Sequence, residues 1–595
     1  MPSVPVDRAN LPPEIVGSRH RALGTSGWDH DASLKKIDSQ MGCLVQPSAA
    51  RRRNGFNRWC CLPSELLCLV CVFAQELCGW PAVRPRRDTI VDNEFDEMGH
   101  EGLSYNPGWI TMIHVCATWR EVFLASPLLW TQPKDCFAIP GSLWNLITQR
   151  SGQLPLHLEI HGETTLSDIG VDLRLAQCFS ASTYDRVEQV HTFEIPLKVY
   201  EKAAALLRKA LPGLDKLILD LQDPSHVPAL PKELCLSPNV TELALYGCRP
   251  WRWDSPILSP LLTSLTIHLR DGWISPDLLP STTQLVNLLS SMKSLRYLIL
   301  GDVFSCAPPS SDCPPCNLPP TLRSLHLTAS DGVQAVACAM FIPHLNYSHD
   351  TRLDIHMFVD TSRTHIEHDA ITVTGAPSFK SLASSALRHL YRQSAPTHLT
   401  FDDEVLLSHN SMQDDGPTLM SSCSNIPGVT SQVRFYIGVF GVYRSIDFAS
   451  IPAFSLRAIS LVCPRAYALL DQEAWWSWLS DATNVRCLGV SVGYCTKLSR
   501  LARSPAVVDS SRHLWLPRLK TVHIYADDGA RDRGEQHARD ACLPFLLNLA
   551  RGRHHSGSPF SDVVVDECLR GLSVWDTIRK EENITLSFCA FSPDM

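Results

Sequence analysis

A six-residue apolar pattern recurs along most of this chain and constrains its fold more than any other feature. In each copy an apolar residue is followed by two other residues, a second apolar residue, one other residue and a third apolar residue. The nine clearest copies begin at Val190, Leu214, Val240, Leu262, Leu295, Leu322, Leu456, Val485 and Leu519. The intervals between these starts are 24, 26, 22, 33, 27, 134, 29 and 34 residues. Alternation of this kind predicts a short strand with one buried face in each copy.

The spacing of the copies matches the leucine-rich repeat, in which each unit supplies one strand and a return element. Isolated strands of an ordinary α/β protein would also produce some copies, but the number and spacing of these favour a repeat array. The uneven intervals predict an irregular solenoid rather than a regular horseshoe. Weaker copies are expected near Leu353 and Leu399, and residues 469–482 are predicted to form a return helix in which Trp475 and Trp478 pack.

Composition and charge limit the classes of protein to which this chain can belong. The chain has 595 residues, 45% hydrophobic and 19% charged, which is ordinary for a globular protein of roughly two to four domains. The net charge of −8 and the lack of a basic stripe argue against a nucleic-acid partner. With no signal peptide and no apolar run of about 18 residues, neither export nor a membrane partner is expected. The 22 cysteines lie mostly in apolar stretches, which favours buried thiols in a reducing compartment, cytoplasmic or nuclear.

The first 132 residues do not show the repeat pattern. Residues 1–58 are rich in Pro, Ser, Gly, Arg and His and are predicted to be largely disordered. A helix is predicted next, with Pro63 at its start and Ser64 as its cap. Its broad apolar face would contain Leu66, Leu67, Val70 and Phe73. An exposed insertion is predicted at about 79–108, and a second helix between Asn106-Pro107 and Ser126-Pro127.

Three sequence blocks between residues 62 and 130 resemble, in order, those of the F-box. They read LPSELL from Leu62, VCATWREV from Val115 and SPLLW from Ser126. The following RSGQLPLHLEI is similar to the continuation found in F-box proteins of mushroom-forming fungi. The chain departs from the family pattern in one respect, because about thirty residues separate the first two blocks. A loop of that length adds little closure entropy, about 0.6 kcal/mol for each doubling, so docking should survive it.

The resemblance implies a fold, a function and a set of partners. A small helical F-box over 59–132 would precede a leucine-rich-repeat-like substrate-recognition domain over 133–595, giving an α+β or α/β chain. F-box proteins are substrate receptors of SCF ubiquitin ligases; the motif docks on a Skp-family adaptor, which connects to a cullin scaffold, and the repeats hold the target protein. By resemblance, the adaptor interface would contain Leu62, Pro63, Leu66, Leu67, Val115, Cys116 and Trp119. For Leu67 and Trp119, plain core packing is an equal alternative.

Two other functions stay open, and neither is preferred. The repeats could form an interaction scaffold with no ligase role. The motif G-x-S-x-G at Gly489–Gly493 matches a hydrolase nucleophile elbow around Ser491, with Asp527 and His537 following it. No glycine-rich oxyanion segment precedes the motif, so a turn at a strand end is favoured and no enzyme activity is expected.

One cysteine motif has the spacing of a zinc site. Cys313 and Cys316 form CPPC, but no second pair lies near them in the sequence. A metal site is therefore not expected. Because neither a Walker loop nor a dinucleotide fingerprint follows a predicted strand, no cofactor is expected either.

Overall fold

A computed structural model describes the chain in two units. The described residues are 62–85, 103–162, 168–207, 211–222, 226–269, 275–305, 307, 313–358, 379–393, 395–401, 405–410, 431–438, 447–461, 473–501, 516–526, 528–555, 557–581 and 584–589. The first unit runs to residue 158 and includes 164–186, and the second contains 159–163 and all residues from 187 onward. The N-terminal segment 1–58, predicted to be disordered, lies outside the described residues.

The first unit is mainly helical. Its helices are α1 (Ser64–Cys78), α2 (Ala117–Ala125), α3 (Gly141–Arg150), α4 (Asp168–Cys178) and α5 (Ala181–Tyr184), with 3-10 helices at Gly108–His114 and Pro127–Trp130. Strands β1 (Ala82–Pro85) and β2 (Leu103–Asn106) pair antiparallel within the predicted insertion. Strand β3 (Leu156–His161) contains the boundary between the two units.

Three tryptophans form the centre of the first unit. Trp80 and Trp109 meet edge to face with ring centroids 5.5 Å apart, and Trp109 and Trp130 are 5.1 Å apart. The indole N–H of Trp130 donates to the carbonyl of Phe123 at 3.0 Å. Gly108 precedes Trp109 with φ of 54°, in the left-handed region that favours glycine. The backbone at Gly108 also passes so close to that of Gly79 and Trp80 that an added Cβ would clash with the Gly79 carbonyl oxygen.

The second unit contains most of the strands. They are β4 (Val187–Phe193), β5 (Ile195–Pro196), β6 (Lys216–Gln222), β7 (Glu242–Tyr246), β8 (Ser264–His268), β9 (Tyr297–Gly301), β10 (Cys316–Asn317), β11 (Ser324–Ala329), β12 (Leu345–Asn346), β13 (Arg352–Phe358), β14 (His398–Phe401), β15 (Val405–Asn410), β16 (Ser431–Gly438), β17 (Ala458–Leu461), β18 (Cys487–Ser491), β19 (Thr521–Tyr525), β20 (Asp562–Asp566) and β21 (Thr585–Cys589).

Helices lie between many of these strands. The α-helices are α6 (Leu197–Leu206), α7 (Thr282–Ser291), α8 (Gly332–Phe341), α9 (Phe379–Gln393), α10 (Glu473–Asp481), α11 (Val492–Leu501), α12 (Asp528–His555) and α13 (Val574–Glu581). Short 3-10 helices occur at Leu234–Leu236, Pro276–Leu278, Ile342–His344, Phe448–Ser450, Ala453–Ser455 and Glu567–Leu569. Helix α8 contacts β11 and β13, and α11 contacts β18, so that helices cover the sheet.

One long sheet organises the second unit. Eight strands pair in parallel in the order β4, β6, β7, β8, β9, β11, β13 and β16. Strand β15 then pairs antiparallel with both β16 and β14. From β14 the order continues in parallel through β17, β18, β19, β20 and β21. Two short parallel pairs, β5 with β6 and β10 with β12, lie beside this order.

The recurring apolar pattern supplies the buried face of this sheet. Leu217, Leu243, Leu265, Leu298 and Leu325 are register partners across β6 to β11, and each is at most 1% exposed. The predicted strands at these copies are therefore confirmed. One copy is displaced along the chain. Val190 is the register partner of Leu217, so the first copy begins at the fully buried Val187 rather than at Val190.

The predicted fold class is wrong. A small helical F-box followed by an irregular leucine-rich-repeat-like solenoid was expected, whereas the described residues form an α/β-type fold with a large parallel sheet flanked by helices. The apolar pattern identifies buried strands but does not specify their connections. Antiparallel pairing at β15 interrupts the parallel order, and helices as long as the 28-residue α12 separate the last strands. The N-terminal region is also more than a small helical motif, because the β1–β2 pair lies within it.

Candidate partner-docking site

Helix α1 is fixed to the first unit along one side. Its buried residues are Leu67, Cys71 and Ala74, which recur at the spacing of one helix face. Burial raises the pKa of the Cys71 thiol to about 12, so this cysteine acts as a small apolar core residue. Two polar contacts lie beside this face. The Cys68 sulfur is 3.1 Å from the Ser126 hydroxyl, and the Gln75 amide donates to the Leu129 carbonyl at 2.7 Å.

A second apolar sector of α1 is exposed. Leu66, Leu69, Phe73 and Leu77 are 46%, 54%, 62% and 86% exposed, and Val72, 42% exposed, lies beside them. At 3.6 residues per turn these four side chains form one row, roughly 120° around the helix from the buried face. We call this row the α1 stripe. Since a single helix rarely presents four large apolar side chains to solvent in one row, the α1 stripe is the candidate site.

The surroundings of the α1 stripe are acidic. Glu65 and Glu76 are both exposed on α1, and the helix contains no lysine or arginine. Leu62 lies one turn before Leu66 at the same spacing and is half-buried. The stripe is therefore an apolar row bordered by negative charge.

The residues predicted from the F-box resemblance divide into two groups. Pro63, Leu66 and Val115 are exposed and Leu62 is half-buried, so these four reach the surface. Leu67, Cys116 and Trp119 are at most 6% exposed and lie in the core of the first unit.

The buried members have identifiable structural roles. Cys116 is the N-cap residue of α2, and its sulfur accepts from the Trp119 backbone N–H at 3.5 Å. The Trp119 ring packs edge to face on Phe123 with centroids 5.6 Å apart. Pro63, and not Ser64, occupies the N-cap position of α1, where no side chain accepts a hydrogen bond from the helix. The site prediction thus combined surface residues with core residues.

Sequence reasoning missed three members of the α1 stripe as site residues. Leu69, Phe73 and Leu77 continue the helical spacing of Leu66 but lie beyond the LPSELL block that carried the resemblance. The signal that could have identified them is the number of apolar residues in α1. They occupy two sectors, and a helix of a globular unit usually buries only one.

Ser491 lies at the junction of β18 and α11, the strand-to-helix position of a nucleophile elbow, but its other surroundings do not match such an elbow. Ser491 is the last residue of β18 and is fully buried. A nucleophile elbow holds its serine on a sharp, strained turn. Among the described residues, those other than glycine with positive φ are Asp135, Glu194, Asp302 and Leu516, so Ser491 has no such strain. Asp527 lies outside the described residues, and His537 lies within α12.

The two cysteines of the CPPC motif differ in burial, because Cys313 is half-buried and Cys316 is buried. Cys316 is buried in β10, and burial raises the pKa of its thiol to about 11. A raised pKa disfavours the thiolate form that binds metals. In the part of the chain that the structure describes, no group of three or more His, Cys, Asp or Glu side chains is arranged to hold a metal ion.

No protein-family model matches this chain, and no curated protein matches it. Within the described ranges, every helix is too short or too polar to cross a membrane.

Proposed function

We propose that this chain is a substrate receptor of a ubiquitin ligase and that the α1 stripe docks on a Skp-family adaptor, which links it to a cullin scaffold. The observation that carries the proposal is the exposure of four large apolar side chains on a helix whose other apolar side is already buried. The resemblance of residues 62–130 to the F-box sequence blocks supports the choice of partner. The second unit would hold a target protein.

The α1 stripe has enough apolar surface to anchor an interface. Complete burial of a leucine or phenylalanine contributes about 1.5–3 kcal/mol. Because the stripe residues are roughly half to four-fifths exposed, covering all four would contribute roughly 4–8 kcal/mol. Part of this offsets the translational and rotational freedom lost on association, so further contacts around the stripe are needed for tight binding.

The charges around the α1 stripe restrict the surface that fits it. Glu65 and Glu76 would lie at the rim of the interface, where charges steer association and exclude wrong partners. A complementary adaptor surface would be apolar at its centre, with lysine or arginine near these two carboxylates. The rim charges also make the association rate of the complex dependent on salt.

The test is the affinity of the full chain for a purified Skp-family adaptor, measured by calorimetry. The double variant Leu69→Ser, Phe73→Ser is expected to bind about 100-fold more weakly, because it removes two central anchors. The control Leu173→Ser removes an exposed side chain of the first unit that lies outside residues 62–130, 58% exposed, and is expected to bind within about threefold of the wild type. All three residues are exposed, so neither variant leaves a core cavity. Trp119→Ala would be a poor choice, because a core cavity of that size costs about 3–5 kcal/mol.

Three results would count against the proposal. Unchanged affinity of the double variant would show that the α1 stripe is not the contact surface. A wild-type chain that does not bind the adaptor would show that the partner is wrong. The α1 stripe could instead be covered by a second copy of the chain, and light scattering would detect that dimer. Self-association that the double variant abolishes would favour a scaffold without a ligase role.

A further inference from the structure

Three histidines come together on the face of the sheet that lies opposite the buried leucines. His268 ends β8, His326 lies on β11 and His356 lies on β13. Strand β9 separates β8 from β11 and places Gly301 in register with His268 and Thr328. Thr328 is in turn in register with His356. His268, Gly301, Thr328 and His356 therefore form one row across four adjacent strands. His326 lies two residues before Thr328 on the same face of β11.

Gly301 makes room for the first of these rings. A Cβ at position 301 would clash with Cδ2 of His268 and would lie 2.8 Å from its Nε2. The imidazole of His268 therefore occupies the space over Gly301 and extends across β9 toward β11. A side chain of any size at position 301 would displace it.

The other two rings are stacked. His326 and His356 have ring centroids 4.7 Å apart and an interplanar angle of 17°. Nε2 of His326 is also 2.8 Å from the Thr328 hydroxyl. Both histidines are only partly exposed. Stacked imidazoles pack well when neutral, but a proton on each would place two like charges at this short distance.

Few groups near His326 can compensate a positive charge. The charged or titratable side chains that act on it from the described strands β8, β9, β11 and β13 are His268, His356, Asp354 and Arg352. Asp354 is the one carboxylate of this set, and it already accepts from Nε of Arg352 at 3.1 Å. Burial first, and then the neighbouring His356, lower the pKa of His326 to about 4.

We propose that His268, His326 and His356 form an acid-sensitive element that holds the middle of the sheet closed near neutral pH and loosens β11 and β13 when its imidazoles are protonated. The pKa of His326 is lower in the closed sheet than the ordinary 6.5 of an exposed imidazole. The opened state therefore binds protons more readily than the closed state between pH 6.5 and 4. By linkage, closure is fully favoured above pH 6.5 and is progressively lost as the pH falls toward 4.

Hydrogen–deuterium exchange of the full chain at pH 7 and pH 5 tests this element, after correction for the intrinsic exchange rate at each pH. In the wild type, the protection of β11 and β13 amides is expected to fall roughly 20-fold at pH 5, from the linkage of His326 alone. Strands β6 and β7 contain no histidine and are expected to keep their protection. A sheet that opens everywhere in acid would show equal losses in all four strands and would overturn the proposal.

Two variants separate titration from packing. His326→Phe keeps a ring beside His356 but cannot take a proton, and it is expected to remove most of the pH-dependent loss in β11 and β13. The matched control His349→Gln changes an exposed histidine, its side chain 73% exposed, that precedes β13, and it should leave the loss unchanged. A wild type whose β11 protection is the same at both pH values would overturn the proposal without any variant. So would a His326→Phe chain that loses as much protection as the wild type.

Discussion

Replacing Gly108 with alanine is expected to open the tryptophan cluster of the first unit. The alanine must adopt φ of 54°, which costs about 1–2 kcal/mol for a residue with a side chain. Its Cβ would also clash with the Gly79 carbonyl oxygen and lie 2.8 Å from the carbonyl carbon of Trp80. Because these neighbours are backbone atoms, the clash can be relieved only by moving the backbone around Trp80. That movement costs about 1–3 kcal/mol. The total is about 2–5 kcal/mol.

The measurement is the free energy of local opening at the Trp109 amide, which donates to the Gly79 carbonyl at 3.0 Å. Hydrogen–deuterium exchange of the full chain provides it without requiring the whole molecule to unfold. In Gly108→Ala this free energy should fall by most of the 2–5 kcal/mol, because the same clash displaces the acceptor.

Gly152 offers a matched control in the same unit. It too has positive φ, 61°, but no heavy atom lies within 4 Å of its Cβ position. Gly152→Ala should therefore cost only the conformational part, about 1–2 kcal/mol, near the end of α3. If the two variants were equally stable, the close approach at Gly108 would contribute nothing, and the steric reasoning would be refuted.

Two further perturbations test the second unit. His523 is buried in β19, and burial lowers its pKa from the ordinary 6.5 to about 4, so the folded chain resists protonation and stability is lost as pH falls through this window. The loss should approach about 3 kcal/mol at pH 4, and urea unfolding of His523→Phe should lack it. Arg553 of α12 donates to the carbonyls of Leu516, Pro517 and Leu519 at 2.6 to 3.1 Å. Arg553→Met should lower the free energy of unfolding by about 3 kcal/mol, and Arg553→Lys should recover only part of it, since lysine lacks the planar fork.

The buried strands were predictable because their apolar period is local. Leu217, Leu243 and Leu265 face the same core, and their spacing alone identifies that face. The period does not determine the start of a copy when several apolar residues qualify. Val190, Phe193 and Ile195 satisfy the pattern in full, whereas the in-register set that begins at Val187 has the polar Thr192 as its third member, so the first strand was misplaced by three residues.

The connections between strands were not predictable in the same way. Pairing of β14 with β17, and of β13 with β16, joins residues far apart in the chain. Strand β20 was missed although Phe560, Val563 and Val565 fit the apolar pattern, with Val563 and Val565 in register with Val522 and Ile524. Strand β21 was missed because the polar Asn583 stands where its copy would begin. Long-range pairing depends on how helices and strands pack together, and apolar spacing contains little information about it.

The candidate site was predictable only in part. The sequence predicted a helix with a broad apolar face that contains Leu66, Leu67 and Phe73. It did not show that Leu67 turns inward while Leu66 and Phe73 turn outward, because all three are equally apolar. That assignment depends on where residues 126–129 lie against the helix, which is a tertiary feature.

The strand order bears on how the chain assembles while it is being synthesised. In the order β4, β6, β7, β8, β9, β11 and β13, each strand pairs with the one before it. This half of the sheet can therefore form strand by strand as the chain leaves the ribosome. At β13 the growth must pause, because its next neighbour is β16 and not β14. Until residue 438 has emerged, the edge of β13 that later pairs with β16 stays unpaired and open to wrong pairing.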